Sequence, residues 1–164
     1  MKVNGLKTDF TPMRNEGTRI TICYGLKKVD GKLYEWHEIY LPKTQNANIS
    51  LDIVKTAILG DINSRVKTAI ISGFVWNEKP VWLSEENQLN FSQAVVPATL
   101  KIGEQADGTP IYETFDTKTD LKAFNEACTL WKQQCLSEGY RMKDTMDWAP
   151  YEAYFPITND KTTE

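Results

Sequence analysis

Histidine is almost missing from this chain: His37 is the only one in 164 residues. A general base at neutral pH is most often a histidine, and zinc sites draw on His and Cys before carboxylates. Both chemistries therefore start short of material. His37 lies in the run Glu35-Trp36-His37-Glu38, where a strand residue beside carboxylates accounts for it. Cysteine is scarce as well, with three. Cys128 and Cys135 fall in a helical pattern, and their spacing means about 10.5 Å of helical rise, beyond the roughly 7 Å that a disulfide tolerates between Cα atoms. There is no C-x-x-C pair, and the three cysteines read as small buried hydrophobes. The nine glycines stand singly, so no phosphate-binding loop forms, and G-x-S-x-G and H-E-x-x-H are both missing. Asp107, Asp116 and Asp120 gather around one expected hairpin, but their spacing is not that of a calcium loop. These residues supply no catalytic set, no metal ligand set and no cofactor site.

Long apolar runs and an excess of base are also lacking. No stretch approaches the ~20 apolar residues of a membrane span, so a membrane partner is not expected. The opening Met1-Lys2-Val3-Asn4-Gly5 reaches Lys7, Thr8 and Asp9 without an apolar secretory core. That points to a protein made in the cytoplasm and leaving it within a larger particle, if at all. Net charge is −3, and the densest basic spots, Lys27-Lys28 and Arg141 with Lys143, sit among acids. Nucleic-acid binders carry a basic stripe, so nucleic acid is not an expected partner. The sequons Asn48-Ile49-Ser50 and Asn90-Phe91-Ser92 read as chance.

What the chain does hold is material for a core: 41 % hydrophobic residues, with 5 Trp, 7 Tyr and 6 Phe. A domain of this size hides roughly two-thirds of its unfolded surface and folds without staples. Residues 1–17 show no sustained period and read as an irregular arm. From Thr18, alternation of Ile20, Ile22, Tyr24 and Leu26 with Arg19, Thr21, Cys23 and Gly25 predicts a half-buried strand. Asp30-Gly31 then turns the chain into a second strand that ends at Pro42. After a polar linker over 42–48, Ser50 caps a helix to about Lys67 with Val54, Ile58, Ile62 and Val66 on one stripe. Ala69-Ile70-Ile71 and the runs around Trp76 and Trp82 predict a second hairpin, with those two rings facing each other across it.

Ser84 caps the next helix, its acids Glu85 and Glu86 at the positive end of the dipole and Leu89 and Phe91 heading its apolar side. A third hairpin turns at Asp107-Gly108. The last helix, 119–138, carries the stripe Leu121, Phe124, Cys128, Trp131 and Cys135, and Gly139 reads as its left-handed cap. Short connections favour antiparallel pairing. The expected fold class is α+β, an antiparallel sheet built from hairpins with about three helices packed against it. Three regions follow: an arm and β-hairpin over 1–49, an α+β domain over 50–148, and a C-terminal extension over 149–164.

That extension draws attention. Trp148, Tyr151, Tyr154 and Phe155 stand among prolines after the last helix, and interfaces are enriched in Trp and Tyr. They form the candidate protein-interface residues. The polar tail 157–164 has no period and would need a partner to order it.

The span 50–148 also resembles a known group. Its core is the run Gly73-Phe74-Val75-Trp76-Asn77-Glu78-Lys79-Pro80-Val81-Trp82-Leu83-Ser84-Glu85-Glu86-Asn87-Gln88-Leu89-Asn90-Phe91. Asp61-Ile62-Asn63-Ser64-Arg65 precedes it, and Lys101-Ile102-Gly103-Glu104, Asp107-Gly108-Thr109-Pro110-Ile111-Tyr112 and Asp147-Trp148-Ala149-Pro150-Tyr151 follow. These segments resemble phage and prophage proteins of gut Bacteroidales, crAss-like phages included. They are more distantly similar to an uncharacterised domain found with phage tail-fibre genes. The resemblance implies a non-enzymatic virion structural protein, a minor component of a head-fibre, tail or baseplate assembly, synthesised in the bacterial host cytoplasm. Its implied partners are itself and other virion proteins of capsid, fibre or tail. A tail-fibre assembly chaperone is the alternative, and a carbohydrate-binding module or small hydrolase is a further one.

Overall fold

The computed structural model describes residues 1–43 and 49–155. The tail 157–164, most of the expected linker and Asn48 of the first sequon lie outside the described residues. In chain order the first strands are β1 (Lys2–Leu6), β2 (Met13–Asn15), β3 (Arg19–Asp30) and β4 (Leu33–Pro42), followed by helix α1 (Leu51–Ser72). Next come β5 (Phe74–Trp76), β6 (Lys79–Val81), α2 (Glu85–Gln93), β7 (Ala98–Glu104) and β8 (Pro110–Phe115). The chain closes with α3 (Lys118–Asp144) and the short α4 (Ala149–Glu152). This is an α+β fold with every strand pair antiparallel. Among the described residues the strands form three sheets, of four, two and two strands, rather than one.

The described residues divide into two compact units, 1–43 and 49–62 with 142–155, and 63–141. Both divisions fall inside helices, α1 and α3, where neither composition nor a linker could mark them.

In the first unit the expected β3–β4 hairpin forms the centre of a sheet of order β1-β4-β3-β2. The N-terminal residues are thus not an irregular arm. They supply both edge strands, of five and three residues, too short to display a period. Gly5 on β1 lets the chain cross closely over Trp36, since a β-carbon there would lie 2.7 Å from Trp36 Cη2. Strand β3 was expected to be buried on one face, yet Thr21, Ile22, Cys23 and Tyr24 are all 0 % exposed. The reason is the N-terminal segment, which closes the second face: Phe10 sets its ring edge-on to Trp36 at 6.0 Å, and Arg14 reaches Glu38. The helical stripe of Val54, Ile58 and Ile62 is completely buried, and the Tyr24 hydroxyl donates to Asp61 at 2.5 Å.

In the second unit α1 runs through Ala69-Ile70-Ile71, a segment whose β-branched pair suggested a strand. The carbonyl of Ile71 there accepts from the Leu83 amide, and that of Ala69 from the Trp131 indole. Asn77 and Glu78 make the two-residue β5–β6 turn with φ of 47° and 63°, the doubly positive geometry of a hairpin turn without its usual glycine. In this register Phe74 opposes Val81 and Trp76 opposes Lys79. Trp82 falls beyond the strand end, so the expected Trp76–Trp82 pair does not form. Trp76 instead stands edge-on to Phe124 at 5.4 Å.

The β6 strand is tied to β7 through Trp82 N–H donating to the Ile102 carbonyl at 2.8 Å. Gly103 makes that approach possible, because a β-carbon there would meet the Pro80 carbonyl oxygen at 2.5 Å. Phe124 on α3 is the hub of the core, with the rings of Phe91 and Phe115 at 5.1 and 5.0 Å. Ser84 caps α2 as expected, accepting from the Asn87 amide. Phe91 is buried but Leu89 is 54 % exposed, so Leu89 does not belong to the apolar side. Gly139 is not a cap either: α3 continues to Asp144.

Candidate functional site

The chain's most chemically suggestive cluster lies in the first unit. Glu38 is 6 % exposed and accepts from Arg14 Nη2 at 2.8 Å, Trp36 Nε1 at 3.2 Å and the Tyr40 hydroxyl at 3.3 Å. Burial pushes its carboxyl up, but the hydrogen bonds from Arg14 and Trp36 outweigh burial and hold it below the ordinary Glu value. The Cys23 thiol lies 3.6 Å from the same carboxylate, and burial pushes it up to about 11. A nucleophilic cysteine needs a lowered pKa and access; Cys23 has neither. The cluster is a satisfied ion pair between a buried carboxylate and a partly exposed guanidinium, and it locks β2 to β3 and β4. His37 packs its ring against Tyr24 at 5.3 Å, an aromatic contact inside the sheet unit. Among the described residues no group of three His, Cys, Asp or Glu side chains is placed to hold a metal.

The C-terminal aromatics separate into two kinds. Tyr151 is 3 % exposed, and its hydroxyl donates to the Cys23 carbonyl at 2.6 Å. Tyr151 thus belongs to the protein's own sheet unit and is not available as an interface residue. A one-turn helix, α4, turns it inward, and a segment so short shows no periodicity in sequence. The Trp148 ring lies tilted beside that of Tyr151 at 6.0 Å and receives the Lys55 ammonium 5.6 Å from its centre, while Lys55 also approaches Glu152 at 3.9 Å. Tyr154 is 45 % exposed and Phe155 is partly covered. Of the four expected contact residues, Tyr154 offers the most surface.

A second surface, not foreseen, lies on the hairpins of the second unit. Val81, Ile102 and Ile111 point into the core. Alternation then turns Val75, Pro80, Trp82, Lys101 and Tyr112 outward, with Val75 opposite Pro80 and Lys101 opposite Tyr112. An antiparallel sheet covered on one face normally carries polar residues on the other. Here Val75, Trp82 and Tyr112 are 59, 40 and 55 % exposed. The sequence signal was present: Phe74-Val75-Trp76 is apolar in both phases of the strand, which one buried face does not require.

The same unit has a groove of about 650 Å³ between the loop after α2 and the flank of α3. Ala94, Val95 and Val96 form one wall, and Leu121, Asn125 and Leu130 lie along the other. Lys118, Lys122 and Glu126 are the charged side chains along it. Among the described residues no helix is long and apolar enough to cross a membrane.

The chain matches no family model, no curated protein and no solved structure.

Proposed function

We propose that this chain is a non-enzymatic structural protein of a bacteriophage particle, a minor component of a head-fibre, tail or baseplate assembly. It acts through contacts with itself and with capsid, fibre or tail proteins. The observation that carries this reading is the outward face of Val75, Trp82 and Tyr112, apolar where a solvated sheet face is polar. Contiguous exposed apolar surface of this kind marks interaction sites. The likeness of residues 50–148 to phage-associated proteins supplies the setting, and the same hairpin run that carries the likeness builds the exposed face. The reactive side-chain types support the reading from the other side, since Glu38 and Cys23 are spent on internal contacts.

Mass spectrometry of purified particles from the host that carries the gene tests this. Recovery of the chain in stoichiometric amount supports a structural role. Its absence from particles, together with recovery from lysate in complex with fibre subunits, would replace that role with the assembly chaperone. The groove beside Val95 and Leu130, wide enough for a partner segment, is what favours that second reading.

A further inference from the structure

We infer that the groove between residues 94–96 and α3 binds an extended peptide segment of a partner protein, with an acidic residue at one end and apolar residues beyond it. The inference rests on the protein-binding reading above and names the chemistry of what is bound.

The shape of the groove calls for a chain. Its lining on α3 runs from Lys118 to Gln133, roughly 22 Å of helix at about 1.5 Å per residue. An extended peptide of about seven residues covers that length at about 3.3 Å each. The facing wall is itself extended where it leaves α2, with Ala94 at φ −65° and ψ 143°. Among the described residues, the amides of Val95 and Val96 donate to no backbone carbonyl, and their carbonyls accept from no backbone amide. A bound strand brings both kinds of partner, and exposed extended backbone recruits peptides in this way. An alkyl chain of the same length brings neither.

Charge sets the chemistry of the ends. Lys118 and Lys122 stand at the start of α3, and Lys122 is answered by Glu126 at 3.6 Å. Lys118 has no ion pair among the described residues. Asp120, an acid on the same turn, sits about 200° round the helix from it and is held by the Thr117 hydroxyl at 2.7 Å. This end of the groove therefore keeps an excess of positive charge and fits a carboxylate. The other end is uncharged, lined by Thr129, Leu130 and Gln133. Val95 is 79 % and Leu130 55 % exposed, so apolar surface stands open on both walls beyond the lysines, and apolar side chains of the bound segment cover it.

Selection of a random heptapeptide display library on the immobilised full chain tests this, with a Leu130→Lys chain as the counter-target. Enriched peptides should share an acidic residue near one end and apolar residues after it. The synthetic consensus peptide, acetylated and amidated, should bind at least about tenfold more weakly to Lys118→Glu, and more weakly in high salt. Both variants change exposed positions, and an unchanged circular dichroism spectrum and melting temperature verify the fold. N-methylation of single peptide amides should weaken binding at alternate positions, because a strand turns every second residue's backbone groups to one neighbour. Leu89→Ala, on α2 outside the groove, should leave the affinity unchanged. No enrichment over the counter-target overturns the inference, as does a consensus without an acid, equal affinity for Lys118→Glu, or N-methylation without effect. Binding of dodecanoate where no peptide is enriched gives the groove to an alkyl acid. Self-association that Leu130→Lys abolishes, again without peptide enrichment, gives it to a second copy, and either result overturns the inference. Particle content separates this site from the reading it rests on. A chain recovered in particles that enriches no peptide keeps the structural role and loses the groove. A chain absent from particles that still selects the acidic consensus keeps the groove and loses the structural role.

Discussion

Gly139 on α3 backs directly onto Val66 on α1: a β-carbon at Gly139 would stand 2.5 Å from Val66 Cγ2. The glycine is therefore a point of close helix approach within the second unit. Gly139→Ala gains about 1 kcal/mol of helix propensity but overpacks a β-branched neighbour whose χ1 is stiff, at about 1–3 kcal/mol. The expected net effect is a loss of about 1 kcal/mol in urea unfolding. Val66→Ala introduced beside it should recover much of that loss, and a double variant no better than the sum of the singles would refute the contact.

Phe124 is 0 % exposed and has four aromatic rings around it, those of Phe74, Trp76, Phe91 and Phe115. Phe124→Ala should cost about 3–5 kcal/mol, as large aromatic truncations do. Leu89→Ala, on a 54 % exposed side chain, should change stability by less than about 0.5 kcal/mol. Equal losses at the two positions would mean that the α2 face has been assigned wrongly.

The contrast between these residues shows what the sequence could convey. Stripes of long helices were legible: Val54, Ile58 and Ile62, and likewise Leu121, Phe124 and Cys128, are buried where the period places them. So was turn chemistry, in the hairpin at Gly31 with its positive φ. Features that depend on tertiary neighbours were not. Gly139 looks the same as a helix cap until Val66 is brought against it. The edge strands are too short to show alternation, and Tyr151 sits on a single helical turn. Half of the candidate surface was visible as aromatic density, but its outward side was fixed only by the β5–β6 register, in which the turn at Asn77 and Glu78 places Val75 opposite Pro80.

The Arg14–Glu38 ion pair gives the protein an acid limit. Glu38 has a folded-state pKa below its ordinary value, so the unfolded chain takes up the proton first as pH falls. The stability it contributes is full above the usual Glu value of 4.5 and is lost as pH drops through the lower folded value. Glu38→Gln should flatten the decline of the melting temperature below pH 4.5. Arg14→Leu leaves the buried carboxylate without its partly exposed cation and should cost about 1–3 kcal/mol at neutral pH. A melting profile of the same acid slope in wild type and Glu38→Gln would show that other carboxylates set the limit.

Thiol labelling separates the three cysteines. Burial pushes Cys23 up to about 11 and Cys128 up to about 12, and both are buried, whereas Cys135 is partly exposed. At pH 8 a disulfide reagent should modify Cys135 first, with Cys23 and Cys128 reacting only as the chain opens. Cys135→Ser should remove the fast phase, and a fast phase that survives it would place a second thiol at the surface.

The C-terminal segment offers the sharpest division between core and interface. Tyr151 places its hydroxyl 2.6 Å from the Cys23 carbonyl while its ring is covered to 3 % exposure, so the segment is bound to the sheet by a buried polar contact as well as by apolar area. Tyr151→Phe keeps the ring and removes the donor, which leaves the carbonyl of Cys23 short of a partner at about 1–2 kcal/mol. Tyr151→Ala also opens a cavity and should cost about 3–5 kcal/mol. Tyr154→Ala, at a 45 % exposed position, removes no such contact and should leave the melting temperature in place. If the segment served a partner instead, the order would invert: Tyr151→Ala would spare the stability of the isolated chain and reduce its recovery in particles. Thermal unfolding of the three variants beside their particle content measures both quantities at once. A stable Tyr151→Ala chain that fails to enter particles would return the segment to the interface and take Tyr151 out of the core.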